Sequence, residues 1–295
     1  MTPAAQRSST RPSQALVTGE FEFSVADFRV IADIAKTEAG IDLHESKATL
    51  VYSRLAKRLR SLGLATFAEY CATVRGNDEE RGHMIAALTT NVTRFFREPH
   101  HFEHLRKNIL EPLADKVRKG GRLRLWSAAC STGQEPYSMA LTVLSVFPDA
   151  AERDVRILAT DLNPHVVAHG KKALYRKEEL ADVPQNLRSK WLESVSGEPE
   201  GMRVCEAARS LVSFRELNLM GTWPCKGPFD AIFCRNVVIY FDRDTQGMIW
   251  RRLSNLIVND GALYIGHSER VSGSAVDMLQ ADGITTYRKK SGVRQ

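Results

Sequence analysis

Three strand-end positions in this chain carry residues able to hold a small ligand. Glu135 closes the string Trp126-Ser-Ala-Ala-Cys-Ser-Thr-Gly133-Gln-Glu135-Pro136. Its small side chains let backbone approach a ligand, and the helix start behind them presents unpaired N–H groups. Asp161 ends the run VRILATD, where nucleoside-binding folds hydrogen-bond ribose hydroxyls. Arg235 and Asn236 end the run FDAIFCR, with Tyr240 close behind. Two of these residues have a structural reading as well. Thr132-Gly-Gln-Glu135 matches a capping box, although Glu135 could equally point at a ligand ammonium. Asp161 stands just before Asn163-Pro164 and could cap the helix that starts there. The first loop is neither a Walker loop nor a GxGxxG fingerprint.

Positioning such residues requires a sheet, and the pattern from about Arg122 supplies one. The short β-rich runs RLRLWSA, VRILATD, LVSFREL, FDAIFCR, GALYIGH and ITTYRK alternate with helical segments. That alternation predicts a doubly wound α/β sheet. Upstream, Ser24 to Leu88 reads as successive helices stopped by Gly40, Gly63 and Gly76. The first of these helices has Ser24 and Asp27 as a capping box and Phe28, Ile31, Ile34 and Ala35 on one face. The second, about His44 to Leu62, has an apolar stripe of Val51, Leu55, Leu59 and Leu62. Beside that stripe run Lys47, Arg54 and Arg58, with Lys57 at the flank. These cations form either a solvated face or a docking surface for an acidic partner.

The predicted organisation is a polar tail over 1–20, a helical domain over 21–90, a linker and connecting helix over 91–120, and an α/β domain over 121–290. Irregular alternation and clustered glycines mark an insertion near 191–212.

Composition narrows the class. The chain has 295 residues, 41 Lys+Arg against 35 Asp+Glu, and 43% hydrophobic residues, which excludes general disorder. No apolar stretch approaches the ~20 residues of a membrane span, and the N-terminus lacks the apolar core of a signal peptide. Five cysteines without a CxxC pair argue against a disulfide framework or structural zinc and for a cytoplasmic protein. His100, His101 and His104 cluster near Glu103 at a spacing that could hold a metal, but without the HExxH order; no metal is expected there. Thiol reagents acting at Cys130, Cys225 or Cys234, which lie in or near strand ends, could inhibit.

Read together, Asn91-Val-Thr-Arg-Phe-Phe-Arg97-Glu98-Pro99, WSAACSTGQEPYS, ATDLN, FRELNL, FDAIFCRNVVIYF and GHSE resemble the CheR family in one continuous order from about Phe21 to Arg288. The resemblance implies a Rossmann-like, S-adenosylmethionine-dependent methyltransferase domain with an inserted antiparallel β subdomain, following a small all-helical domain. It implies cofactor contacts from Asn91, Thr93, Arg97, Glu135, Asp161, Asn218, Leu219, Arg235 and Asn236, with Arg97 and Tyr240 arranging the substrate carboxylate. The implied reaction turns glutamate side chains of chemoreceptors into methyl esters and leaves S-adenosylhomocysteine. The implied partner is the receptors' cytoplasmic helical bundle, docked by Lys47, Arg54, Lys57 and Arg58, with a receptor C-terminal peptide on the β subdomain as a further contact. A monomer with neither nucleic-acid partner nor membrane insertion is expected. A nucleic-acid methyltransferase would show an Asn/Asp-Pro-Pro-aromatic tetrad after the strand ending at Cys234, and none is there. A non-catalytic sensor of S-adenosylmethionine would not need Arg97, Asp161, Asn236 and Tyr240 together.

Overall fold

The computed structural model describes residues 15–89 and 91–292. They form two compact units that divide after Thr89.

The first unit opens on a two-stranded ribbon, β1 (Ala15–Val17) against β2 (Phe23–Ser24). The expected tail over 1–20 lies outside the described residues up to 14, but 15–20 is ordered into the unit. Phe21 donates its backbone N–H to the Tyr52 hydroxyl, and Phe21 and Phe23 pack edge-on or tilted against Phe67. Four helices follow: α1 (Val25–Ala39), α2 (Ala48–Leu62), α3 (Phe67–Gly76) and α4 (Asp78–Leu88). Ser24 and Asp27 close the capping box of α1, and Gly40 ends it in the left-handed conformation at φ 71°. Thr66 and Glu69 form a second capping box at α3. Helix α2 starts later than the periodicity predicts, because Glu45–Lys47 forms a 3-10 turn first.

The second unit begins with α5 (Pro99–His104), a π-helical stretch over Leu105–Leu110 and α6 (Ala114–Arg118). The single helix expected over Pro99–Val117 is thus broken in two. Next come β3 (Leu123–Ala128), α7 (Gln134–Val146), β4 (Val155–Asp161), α8 (Pro164–Lys172) and β5 (Leu174–Arg176). They are followed by α9 (Gln185–Trp191), β6 (Leu192–Val195), β7 (Glu198–Val204), α10 (Glu206–Arg209) and β8 (Val212–Glu216). The chain closes with β9 (Phe229–Cys234), α11 (Arg243–Asn255), β10 (Ile257–Ile265), α12 (Ala275–Met278), β11 (Leu279–Gly283) and β12 (Thr286–Lys289).

Seven strands make one sheet in the order β11-β12-β10-β9-β3-β4-β8, with every pairing parallel except the two that β12 makes with β10 and β11. Side chains alternate between two cores: Leu123, Leu125, Ile157 and Phe233 bury on one face, Trp126, Ala128, Ile232 and Cys234 on the other. Strand order reverses between β3 and β9, so the crevice at their carboxyl ends is where such a sheet takes a ligand. The register keeps those ends level: Ala128 pairs with both Thr160 and Cys234.

Strands β5, β7 and β6 form a separate antiparallel sheet. It draws one strand from residues 174–176, well ahead of the insertion expected near 191–212.

Candidate active site

The loop after β3 alternates handedness, with Ala129, Ser131 and Gly133 at φ 62°, 50° and 98°. Gly133 is the N-cap of α7 and no side chain caps that helix. The capping-box reading of Glu135 therefore does not hold. Its carboxylate accepts instead from the Ser127 hydroxyl (2.7 Å) and from Arg235 Nη1 (3.0 Å). Burial pushes the Glu135 carboxyl above the usual range, against the pull of Arg235.

Arg235, 6% exposed, is the hub of the site. From the end of β9 it reaches across the β3/β9 switch to Glu135, lies 3.2 Å from Glu98 Oε2, and donates Nη2 to the Arg97 carbonyl. The backbone it grips is bent: Phe96 and Glu98 both have positive φ, 49° and 58°. Non-glycine residues in that region hold stored strain; here Arg235 grips the Arg97 carbonyl between them and the Phe96 N–H donates to the Ser138 hydroxyl at 2.9 Å. Burial raises the Glu98 carboxyl, but Arg235 outweighs it and holds it below the ordinary value. The Arg97 side chain donates to the Val92 carbonyl at 3.0 Å.

Asp161 is 7% exposed, and both its oxygens are met by backbone: Ser131 N–H at 2.8 Å and Asn163 N–H at 2.9 Å. Asn163, not Asp161, caps α8 through His165 N–H. Burial lifts the Asp161 carboxyl above its usual range despite those donors. The Ser131 hydroxyl in turn donates to the Asn91 carbonyl. Asn91, Arg97, Glu135, Asp161 and Arg235 are thus joined through one loop and one guanidinium.

Asn236, at φ 59°, is held by Glu269, the acid of the GHSE string, for which spacing and residue type suggest no role. The Glu269 carboxylate accepts four backbone N–H groups, from Asn236, Val237, Val238 and Gly266. Tyr240 ends the 3-10 turn that follows, half-buried. Asn218 and the buried Leu219 follow β8, where the Asn218 side chain accepts from Met220 N–H and the Leu219 carbonyl accepts from Trp223 and Arg252. Those two residues, Thr93 and Tyr240 are not among the hydrogen-bond partners of Arg235. Glu98, Ser127 and Ser131 belong to the site unpredicted; their only signal was adjacency to motif residues.

The histidine cluster assembles differently from its spacing: His100 and His101 converge with Glu98, their ligand atoms within 4.8 Å of one another, and not with Glu103 and His104. Glu103 pairs with Lys107, while His104 bonds Tyr264 and Asp282. His101 bonds Ile284 and Thr285 and is pulled down to about 3 by burial and Arg235, so it stays neutral. The Cys130 and Cys234 thiols are pushed well up by burial, which makes them poor targets for thiol reagents. In the first unit, Arg58 forks onto the buried Glu80 carboxylate and Arg54 donates to the Leu88 carbonyl. Lys47 and Lys57 are exposed.

Strand order and site together define the S-adenosylmethionine-binding methyltransferase fold. Residues 91–288 match the CheR methyltransferase, SAM binding domain, and residues 26–89 the CheR methyltransferase, all-alpha domain. The chain is 52% identical over 257 residues to the probable chemotaxis protein methyltransferase of Rhizobium etli, covering 85% of this chain and 95% of that one. It is 39% identical to chemotaxis protein methyltransferase 2 of Pseudomonas aeruginosa, covering 95% and 98%. It is 42% identical to the chemotaxis protein methyltransferase of Escherichia coli, covering 87% and 88%. The chain belongs to the CheR methyltransferase family.

The donor set suits that cofactor. Glu135 and Asp161 are carboxylates that burial holds above their usual range, and Arg235 must serve both Glu135 and Glu98. Such a pocket favours a ligand bringing positive charge and hydroxyl donors, as S-adenosylmethionine does through its ammonium, sulfonium and ribose.

Proposed function

We propose that this chain transfers the methyl group of S-adenosylmethionine to glutamate side chains of chemoreceptors, giving methyl esters and S-adenosylhomocysteine. The observation that carries the reading is the Glu98–Arg235–Glu135 cluster at the β3/β9 switch point, with Asp161 at the end of the neighbouring β4, in a chain whose relatives are named chemotaxis protein methyltransferases. When bound, S-adenosylmethionine supplies a methyl carbon on a sulfonium, open to in-line displacement. Glu135 and Asp161 hold its ammonium and ribose, while Asn218 and Leu219 flank its base.

A substrate glutamate, with an unperturbed pKa near ~4.3, needs no general base at neutral pH. The fully buried His101 is neutral and already bonded, which accords with chemistry that calls for no base. What remains is alignment, able to supply about 7–11 kcal/mol of such a barrier. Tyr240 and Arg97 perform it by orienting the carboxylate lightly, since tight pairing would blunt its nucleophilicity. The exposed Lys47 and Lys57 meet the acidic receptor bundle, and the β5-β7-β6 sheet takes a receptor C-terminal peptide. The enzyme works as a cytoplasmic monomer. Among the described residues no helix is long and apolar enough to cross a membrane.

Calorimetric titration with S-adenosylhomocysteine tests the cofactor half: wild type binds and Asp161→Ala does not. Label transferred to a receptor fragment tests the other half. A glutamate methyl ester releases methanol in alkali, so alkali-stable label would sink the proposal.

A further inference from the structure

Beside the turn that carries Tyr240 lies a basic cavity of about 760 Å³ that the cofactor site does not use. It is built by α11 and by the loop after β10. Arg243, Gly247 and Arg251 recur every four residues along one face of α11. The loop lies directly on that face through glycine against glycine. A Cβ on Gly273, itself at φ +65°, would stand 3.1 Å from the Gly247 Cα. This contact brings Arg270 to the same cavity as Arg243 and Arg251.

Most guanidiniums of this protein have a carboxylate or carbonyl partner. Among the described residues, Arg243 and Arg251 have neither a hydrogen bond nor an ion pair; Arg270 donates only to the His267 and Glu269 carbonyls. Three exposed cations therefore face one cavity whose open acid is Asp244. Glu269, also in the wall, is 3% exposed and saturated by its four N–H donors. The Ser272 hydroxyl in the same wall is buried without a partner. Ile239 and Met248 add exposed apolar surface, 45% and 39% accessible, which a free anion would leave unused.

We propose that this cavity receives acidic side chains of the methyl-accepting protein next to the glutamate being methylated, an inference that rests on the function proposed above. Arg243 and Arg251 are two turns apart, about 12 Å along the axis. An acidic helix presents carboxylates at about 6 Å intervals on one face, so two of them eight residues apart match the two guanidiniums while its apolar side chains cover Ile239 and Met248. Glu269 links the cavity to the site, because the carboxylate in its wall also fixes the turn between Arg235 and Tyr240.

The test uses the full chain with Arg243→Gln and Arg251→Gln together, assayed on a chemoreceptor cytoplasmic fragment and on the same fragment with the acids flanking the methylated glutamate changed to glutamine. The double variant is expected to raise KM for the native fragment about fivefold or more. It should leave kcat and S-adenosylhomocysteine affinity within about twofold, and the salt dependence of KM should flatten. Fragment and enzyme substitutions should not add, since they remove the same contacts. An unchanged KM in the variant overturns the inference. So does a calorimetric titration in which pyrophosphate binds wild type at this cavity while receptor KM is insensitive to the arginines, which would make it a small-anion site. Wild type that binds S-adenosylhomocysteine but methylates no receptor fragment overturns the proposed function as well, so the two failures are told apart.

Discussion

At the scale of single residues, the site is organised by what burial does to carboxylates. Glu135 is raised by burial and only partly compensated by Arg235, so it takes up a proton at a higher pH than an ordinary glutamate. Its ionised form is the one that attracts a ligand ammonium. Affinity for S-adenosylhomocysteine should therefore fall as pH is lowered through this raised range. Glu135→Gln should bind about tenfold or more weakly, with that acid-side slope gone, as read by titrations over a pH series. A slope that persists in the variant would assign it to another group, Asp161 first. Tyr240 is proposed to act on the acceptor side. If it orients the acceptor carboxylate, Tyr240→Phe should lower kcat/KM by more than about twofold without weakening S-adenosylhomocysteine binding.

At the scale of elements, two buried carboxylates hold backbone and helices together. Glu269 collects the N–H groups of Asn236–Val238 and Gly266 into one acceptor, fixing the turn between β9 and α11 against the end of β10. Glu269→Ala strands those donors in a buried place, at about 1–3 kcal/mol for each one that water cannot reach. The variant should melt well below wild type, and Glu269→Gln should fall between them because its amide oxygen still accepts. Glu80 ties α4 to α2 through Arg58 and to α3 through Tyr70. Burial raises this carboxyl, yet the Arg58 and Tyr70 hydrogen bonds outweigh it and hold it below the ordinary value. A depressed carboxyl stabilises the fold above its unfolded pKa and loses that contribution as pH falls through the folded one. Arg58→Ala should therefore destabilise the helical unit at neutral pH, by about 3 kcal/mol, and the deficit should shrink in acid denaturation. Charge reversal at Arg58 would confound a docking experiment for the same reason, whereas Lys47 and Lys57 can be reversed without stranding a buried charge.

At the scale of the whole molecule, the net charge of +6 is spread over cations with different fates. If the exposed lysines act at a distance on an acidic partner, as proposed, salt screens them over about 8–10 Å. Methylation of a chemoreceptor fragment should weaken as salt rises, while S-adenosylhomocysteine affinity, set inside the sheet crevice, should change little. Lys47→Glu with Lys57→Glu should reproduce the high-salt rate at low salt. A double variant that keeps the wild-type rate and salt response would remove the helical unit from docking.

Much of the architecture was legible along the chain because its causes are local. The runs ending at Ala128, Asp161, Glu216 and Cys234 are apolar strands bounded by breakers, and the Ser24–Asp27 box with Gly40 delimits α1 through contacts a few residues long. Residue types at the strand ends already marked Glu135, Asp161, Arg235 and Asn236. What those side chains do was decided by contacts far apart in sequence. Glu135 could cap α7 or face a ligand, and Arg235, a hundred residues on, draws it to the site. Asp161 could cap α8, but Asn163 does so and leaves it to hold the Ser131 loop. Arg58 belongs to a basic stripe by periodicity, yet a buried Glu80 on another helix claims its charge. Glu98 and Glu269 gain their parts only because packing brings Arg235 and four bare N–H groups to them. Period and capping depend on neighbours within a turn or two, and the sequence by itself determines those. Which buried charge finds a partner depends on long-range packing and the cost of leaving it alone, and only the tertiary structure decides that.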